Sequence, residues 1–276
     1  MLTIIPTGST TPQAIHFPAG EPHIAATEPG ALAGDQVALL TGSDADELIT
    51  LVMWAQAVLA DGGAPHALIP YLPGARADRA PRLEAKVYAD LINSAGFASV
   101  TCLDPHSPVM ADMIERLTIV TAADMIAASL TTSYLGSFVG VIAPDEGAHE
   151  RACAVGQRLD LPVFQARKHR DFDTGELTGF SCEYVPPVGD LLVVDDICDG
   201  GGTFIGLAGV VPNAKQRLHL WVSHGVFSGR AANITEHFAS VMTTDSYPGC
   251  RNIAATVYPV TATMLDRLPQ KGEGND

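Results

Sequence analysis

The chain has 276 residues and a net charge of −15, from 16 basic against 31 acidic side chains. That length fits one large domain or two smaller ones, and 47% hydrophobic residues can build a sizeable core, which excludes a largely disordered chain. The acidic balance argues against nucleic-acid and anionic-membrane surfaces, because either needs a positive footprint, yet a small phosphorylated ligand needs only a local cluster of donors.

In chain order, the opening "MLTIIPTGSTTP" has no basic region and only a short apolar stretch, so it does not read as a signal peptide. Short apolar runs suit buried strands at Val37–Leu40, Ala67–Tyr71, Val100–Leu103, Phe138–Ala143, Leu191–Val194 and Leu218–Val222. Helical spacing falls between several of them, at Ala45–Leu59 and at Leu83–Ser94, the latter ending in "NSAGF" with a glycine stop. Strands alternating with such helices predict parallel sheets with right-handed crossovers. No uninterrupted apolar run approaches the ~18 residues of a membrane helix. The five cysteines (Cys102, Cys153, Cys182, Cys198, Cys250) are odd in number and form no C-x-x-C pair, which points to a reduced, cytoplasmic setting. The segment "LTTSYLGS" (Leu130–Ser137) reads as the connection between two α/β units, and the tail "PQKGEGND" is polar enough to fray. The expected architecture is two α/β domains with mainly parallel sheets, facing each other across a cleft.

Ligands on parallel sheets sit beyond the carboxyl ends of the strands. Five polar, glycine- or proline-marked loops fall at those ends: "PYLPGARADR", "DPHSP", "PDEG", "DDICDGGGT" and "SHGVFSG". The fourth carries the sharpest signal. In "LLVVDDICDGGGTF" (Leu191–Phe204) an apolar strand runs into Asp195, Asp196 and Asp199, then Gly200, Gly201, Gly202 and Thr203. Successive glycines let backbone N–H groups converge on one anion, and Thr203 adds a hydroxyl near a helix N-terminus. Carboxylates repel phosphate but accept hydrogen bonds from vicinal sugar hydroxyls, so the stretch describes a reader of ribose 5-phosphate. No lysine follows the glycines, so it is not a P-loop, and the spacing is wrong for a dinucleotide fingerprint.

This stretch resembles the phosphoribosyl-pyrophosphate (PRPP) motif of type I phosphoribosyltransferases, which ribose-phosphate pyrophosphokinase shares. Other segments resemble the pyrophosphokinase family: "HFPAGE" its "F-x-D-G-E", "IPYLPGARADR" its "IPYFGYARQDR", "LDPHSP" its "MDLHA", "IAPDEGAHER" its "SPDxGGxxR" and "VSHGVFSG" its "xTHGVFSG". "ARKHRD" stands where the family has a flexible-loop "KRR". The likeness is collinear over roughly residues 15–245, and a plain phosphoribosyltransferase would lack the whole first half.

The resemblance implies two phosphoribosyltransferase-like domains. The first, on the ATP side, spans 1–130 and is joined by 255–276; the PRPP-motif domain spans 131–254. It also implies an enzyme that moves the diphosphate of ATP onto the anomeric hydroxyl of ribose 5-phosphate, giving PRPP and AMP, as a homo-oligomer using Mg²⁺. Matched residue by residue, Lys168 and Arg170 are the cationic loop closing on the transferring group. His106 and Asp145 are the magnesium-associated pair, with His106 also catalytic. Phe17, Glu21, Arg76, Asp78 and Arg79 form an ATP site that the neighbouring subunit completes, and His224 and Phe227 are structural support.

Several positions depart from the family pattern. Ala77 replaces the glutamine of "RQDR", Ala19 the aspartate of "F-x-D-G-E", and the stretch between Arg79 and Lys86 is several residues shorter. "D-T-x-G-T" has become Asp199-Gly200-Gly201-Gly202-Thr203, which lacks a threonine hydroxyl for a terminal 5′-phosphate. A 5′-extended acceptor such as ADP-ribose is therefore an alternative. A PRPP-consuming phosphoribosyltransferase and a non-catalytic regulatory homologue are further alternatives.

Overall fold

The computed structural model describes residues 1–6, 13–25, 28–77, 83–170, 177–182 and 184–269. It divides into two compact units, Met1–Val120 with the chain from Val260 onward, and Thr121–Pro259.

In the first unit β1 (Leu2–Ile5) is followed by the short strands β2 (Ala14–His16) and β3 (Pro22–Ile24), which pair as an antiparallel hairpin. β4 (Gly34–Leu40) is buried from Gln36 onward and leads into helix α1 (Ala45–Ala60). The Asp44 side chain accepts from the Glu47 N–H at 3.1 Å, and Asp46 and Glu47 add negative charge where the helix dipole is positive. Leu48, Leu51, Trp54, Ala55 and Val58 recur at helical spacing and bury one face against β4 and β5 (Gly63–Leu68). The expected strand at Ala67–Tyr71 is therefore shifted: β5 starts at Gly63 and stops at Leu68, ahead of Pro70, which has no N–H for a ladder. Next come α2 (Leu83–Ser94), β6 (Ser99–Leu103), α3 (Pro108–Ala111) and β7 (Leu117–Val120). Gly96, at φ +70°, closes the turn after α2. The sheet order is β1-β4-β5-β6-β7, parallel except for β1 at the edge.

The second unit spans Thr121–Pro259, where the sequence reading places a domain over 131–254. Helix α4 (Ala122–Ser129) is opened by a capping box between Thr121 and Asp124 and packs on α6 (His149–Leu159). The stretch Leu130–Ser137 is not a linker, because it forms α5 (Thr132–Leu135) and Tyr134 anchors it. The Tyr134 hydroxyl lies 2.9 Å from His219 Nδ1 and 3.1 Å from Ser240 Oγ. The remaining strands and α-helices of this unit are β8 (Phe138–Ala143), β9 (Val163–Arg170), β10 (Leu177–Cys182), β11 (Asp190–Cys198), α7 (Gly202–Ala208), α8 (Ala214–Arg217), β12 (Leu218–Gly225), β13 (Ser240–Thr244) and β14 (Thr256–Tyr258). They form a sheet of order β10-β9-β8-β11-β12-β13-β14, parallel except for β10. Helix α9 (Thr261–Leu265) returns to the first unit, beside β6. Among the described residues no helix is long and apolar enough to cross a membrane.

Candidate active site

Because the strands are parallel, the loops that follow β8, β11 and β12 gather at one edge of the second unit's sheet, and β8, β9 and β11 are immediate neighbours there. β11 runs four residues beyond the expected Leu191–Val194, so Asp195 and Asp196 belong to the strand and are buried, at 9% and 4% exposure. The Asp196 N–H donates to Asp195 Oδ1 at 2.9 Å. Burial, the charge of Asp196 and a hydrogen bond with it push the Asp195 carboxyl well above the ordinary carboxylate range. Arg151 from α6 pulls the other way, with Nη1 3.5 Å from Asp195 Oδ1 and 3.7 Å from Asp196 Oδ1.

The glycine loop then turns the chain into α7. Gly201 sits at φ +80°, and a Cβ there would lie 2.5 Å from Ile234 Cδ1, so both backbone and packing require glycine. Gly200 and Gly202 face open space without a positive φ, so neither requirement applies to them. The amides of Phe204 and Ile205 donate to the Gly201 carbonyl, and those ahead of them in the first turn have no intrahelical acceptor. Gly201→Ala is expected to cost about 1–2 kcal/mol from the left-handed conformation alone, whereas Gly200→Ala stays within about 0.5 kcal/mol. Urea denaturation of both variants checks this, and equal costs would refute the distinction.

The "SHGVFSG" segment supports this loop. Val226 and Phe227 donate their N–H groups to the Cys198 carbonyl at 3.0 and 2.9 Å, and Ser228 N–H to the Asp199 carbonyl at 3.2 Å. The Ser228 hydroxyl also donates to Asp199 Oδ1. A Cβ on Gly225 would lie 2.3 Å from the Phe227 ring, so the buried phenylalanine can fold back only over a glycine. His224 is buried, with Nδ1 2.8 Å from Ser246 Oγ.

Lys168 lies on β9 rather than in a loop, half-buried, with Nζ donating to Asp145 Oδ2 at 2.6 Å. Asp145 Oδ1 accepts from the Ala148 N–H at 3.1 Å, which helps start α6. Arg170 ends the same strand. The Cys198 thiol is pushed up to about 12 by burial and by Asp195 and Asp199, and Cys102 to about 12 by burial and Asp104, so neither is a nucleophile at neutral pH.

In the first unit Phe17 and Glu21 flank the tight β2–β3 turn, where Phe17 N–H donates to the Glu21 carbonyl and Gly20 N–H to the Phe17 carbonyl. Phe17 is 49% exposed, with its ring 5.1 Å from that of His23, so it is not a core residue. Arg76 is exposed in the turn after β5, and His106 is exposed just beyond the carboxyl end of β6. Asp78 and Arg79 lie outside the described residues.

No protein-family model matches the chain. Ribose-phosphate pyrophosphokinase of Granulibacter bethesdensis is 33% identical over 224 residues, covering 73% of this chain and 70% of the relative. The chain belongs to the ribose-phosphate pyrophosphokinase family. The enzyme of that name from Rhizobium meliloti is 31% identical over 201 residues, covering 67% of this chain and 62% of its own. The crystal structure of phosphoribosylpyrophosphate synthetase from Mycobacterium smegmatis superimposes with a TM-score of 0.77 at 19% identity, covering 94% of this chain and 89% of that one. The two-unit α/β fold is thus that of a pyrophosphokinase, a family of diphosphate-transferring enzymes. Nothing in the sequence pattern marks Arg151, Ser228 or Ile234 for a role at this site. Arg151 stood in plain view as the last residue of "PDEGAHER", but its closeness to Asp195 and Asp196 depends on how α6 packs against β11.

Proposed function

We propose that this chain transfers the β,γ-diphosphate of ATP to the anomeric hydroxyl of ribose 5-phosphate, giving PRPP and AMP. The anomeric hydroxyl bonds through its oxygen to the β-phosphorus and releases its proton to solvent, the bond from that phosphorus to the α,β-bridging oxygen breaks, and AMP departs with the bridging oxygen. The observation that carries this reading is the edge of the second unit's sheet, where Asp195 and Asp196 stand before the glycine loop and Lys168 enters from β9. The two acids accept from the ribose hydroxyls, the loop amides of Gly200–Thr203 hold the 5′-phosphate, and Asp199, tied to Ser228, fixes the loop. Lys168 and Arg170 neutralise charge that builds on the transferring diphosphate. Phosphoryl-type transfer asks little covalent chemistry of a protein, and catalysis is mainly positioning and charge compensation.

ATP occupies the first unit through Phe17, Glu21, Arg76, Asp78 and Arg79, completed by a second copy in a cytoplasmic homo-oligomer. Mg²⁺ fits Asp145, because this cation takes one or two hard carboxylate oxygens beside substrate phosphates and keeps its waters. The Lys168 ammonium on Asp145 Oδ2 shows that this oxygen already holds a positive charge. His106, which belongs to the first unit, is assigned to the metal by the family resemblance alone. Bound there, the cation supplies charge neutralisation on phosphate oxygens.

Incubation with ATP, Mg²⁺ and a panel of ribosyl 5′-phosphoesters, reading nucleotide product and product mass, tests the reading. AMP is expected in one-to-one ratio with acceptor consumed. ADP as the product would leave an ordinary kinase, and base-dependent consumption of PRPP a phosphoribosyltransferase. The open space at Gly200 favours a second reading in which ADP-ribose is also accepted. Gly200→Thr is then expected to move the kcat/KM ratio toward ribose 5-phosphate. A wild type that ignores ADP-ribose removes that second reading.

A further inference from the structure

We propose that Arg151 is a positioning residue of the acceptor site: it holds the adjacent carboxylates of Asp195 and Asp196 together as paired, ionised acceptors for the sugar hydroxyls. The inference rests on the sugar-phosphate reading given above. Neighbouring residues of a strand ordinarily send their side chains to opposite faces, yet one guanidinium nitrogen lies 3.5 Å from Oδ1 of Asp195 and 3.7 Å from Oδ1 of Asp196. The three side chains are 11%, 13% and 6% exposed, so water screens the two negative charges poorly and the cation must do so. Arg151 can reach them because it is the third residue of α6, which packs on both β8 and β11. Both approaches are made by the same nitrogen, so the guanidinium stands between the two carboxylates as a shared positive charge.

The groups facing Asp195 decide what losing Arg151 does. On β11 these are Asp196 and Cys198. Asp145 comes from the turn after β8, carrying Lys168 from β9, and Arg151 comes from α6. Asp196 and Asp145 both favour protonation of Asp195, and Arg151 opposes it. Without the arginine, Asp195 takes up a proton at higher pH, and a protonated carboxyl has lost part of its capacity to accept from a hydroxyl.

The test is ribose 5-phosphate binding measured calorimetrically from pH 5.5 to 9 in the full-length protein. The variants are Arg151→Gln, Asp196→Asn and the double variant, with ATP binding followed alongside. Arg151→Gln is expected to weaken acceptor binding at pH 7 by about ten- to hundredfold and to move the acid-side loss of binding up by about one pH unit or more. ATP affinity is expected to change less than about twofold, since no ATP group is placed at this carboxylate pair. If Arg151→Gln does not fold, the comparison of Asp196→Asn with the double variant decides. There the arginine acts on Asp195 alone, and removing it is again expected to raise the pH at which binding fails. An unmoved pH profile in either comparison, or equal losses for ATP and acceptor, overturns the inference. A wild type that binds no ribose 5-phosphate at any pH overturns the sugar-phosphate reading itself, and this inference with it.

Discussion

Lys168→Ala is expected to lower kcat by about 10²–10³ while leaving ribose 5-phosphate affinity within a few-fold, because a donor aimed at developing charge acts chiefly in the transition state. The structure adds a consequence of opposite sign. Lys168 Nζ lies 2.6 Å from Asp145 Oδ2, the oxygen proposed above for Mg²⁺, so on that proposal ammonium and divalent cation compete for it. The alanine variant is therefore expected to reach half-maximal activity at a lower Mg²⁺ concentration than the wild type, despite its lower ceiling. Arg170→Ala is expected to depress kcat similarly without that gain. Steady-state kinetics at varied Mg²⁺ and acceptor separates the effects. Near-normal turnover in both variants would make this end of β9 merely structural.

Asp195→Asn and Asp196→Asn are each expected to weaken acceptor binding by about 1.5–3 kcal/mol, the range for a hydrogen bond to a charged group. Stability is expected to respond differently. The folded state holds the Asp195 carboxyl above its ordinary 3.8, so it binds more protons than the unfolded chain between that value and the raised one. Stability contributed by this group accordingly falls as pH rises through that window, and the ionised form carries a penalty above it. Asp195→Asn, which cannot ionise, is expected to melt no lower than the wild type at neutral pH while binding acceptor worse. Calorimetric melting at pH 5 and 7.5, paired with acceptor titrations, measures both quantities. A large loss of Tm with unchanged acceptor Kd would move Asp195 from the sugar site into the scaffold.

Local rules reached far along this chain. The runs Val37–Leu40, Val100–Leu103 and Phe138–Ala143 mark strands because continuous apolar stretches suit strands covered on both faces. Leu83–Ser94 marks a helix by its spacing and its glycine stop. The acids, three glycines and threonine after Leu191–Val194 made the sugar-phosphate reading possible, since hydroxyl-accepting and anion-holding groups are local properties of a loop.

Other features depend on contacts distant in sequence. β11 continues through Asp195 and Asp196 because β12 pairs with it as far as Cys198–Gly225, and a polar strand end has no apolar signature of its own. Leu130–Ser137 has the composition of a linker, but Tyr134 finds His219 and Ser240, which lie 85 and 106 residues away. Of three consecutive glycines only Gly201 is demanded by the fold, through its φ and through Ile234. Lys168 meets Asp145, and Arg151 meets two acids, only because α6 and β9 pack beside β8 and β11. Residue types and spacing thus determined which chemistry this protein carries, since those are properties of short segments. Tertiary structure alone decided which charge stands on which, because side chains far apart in sequence become neighbours only when the sheet assembles.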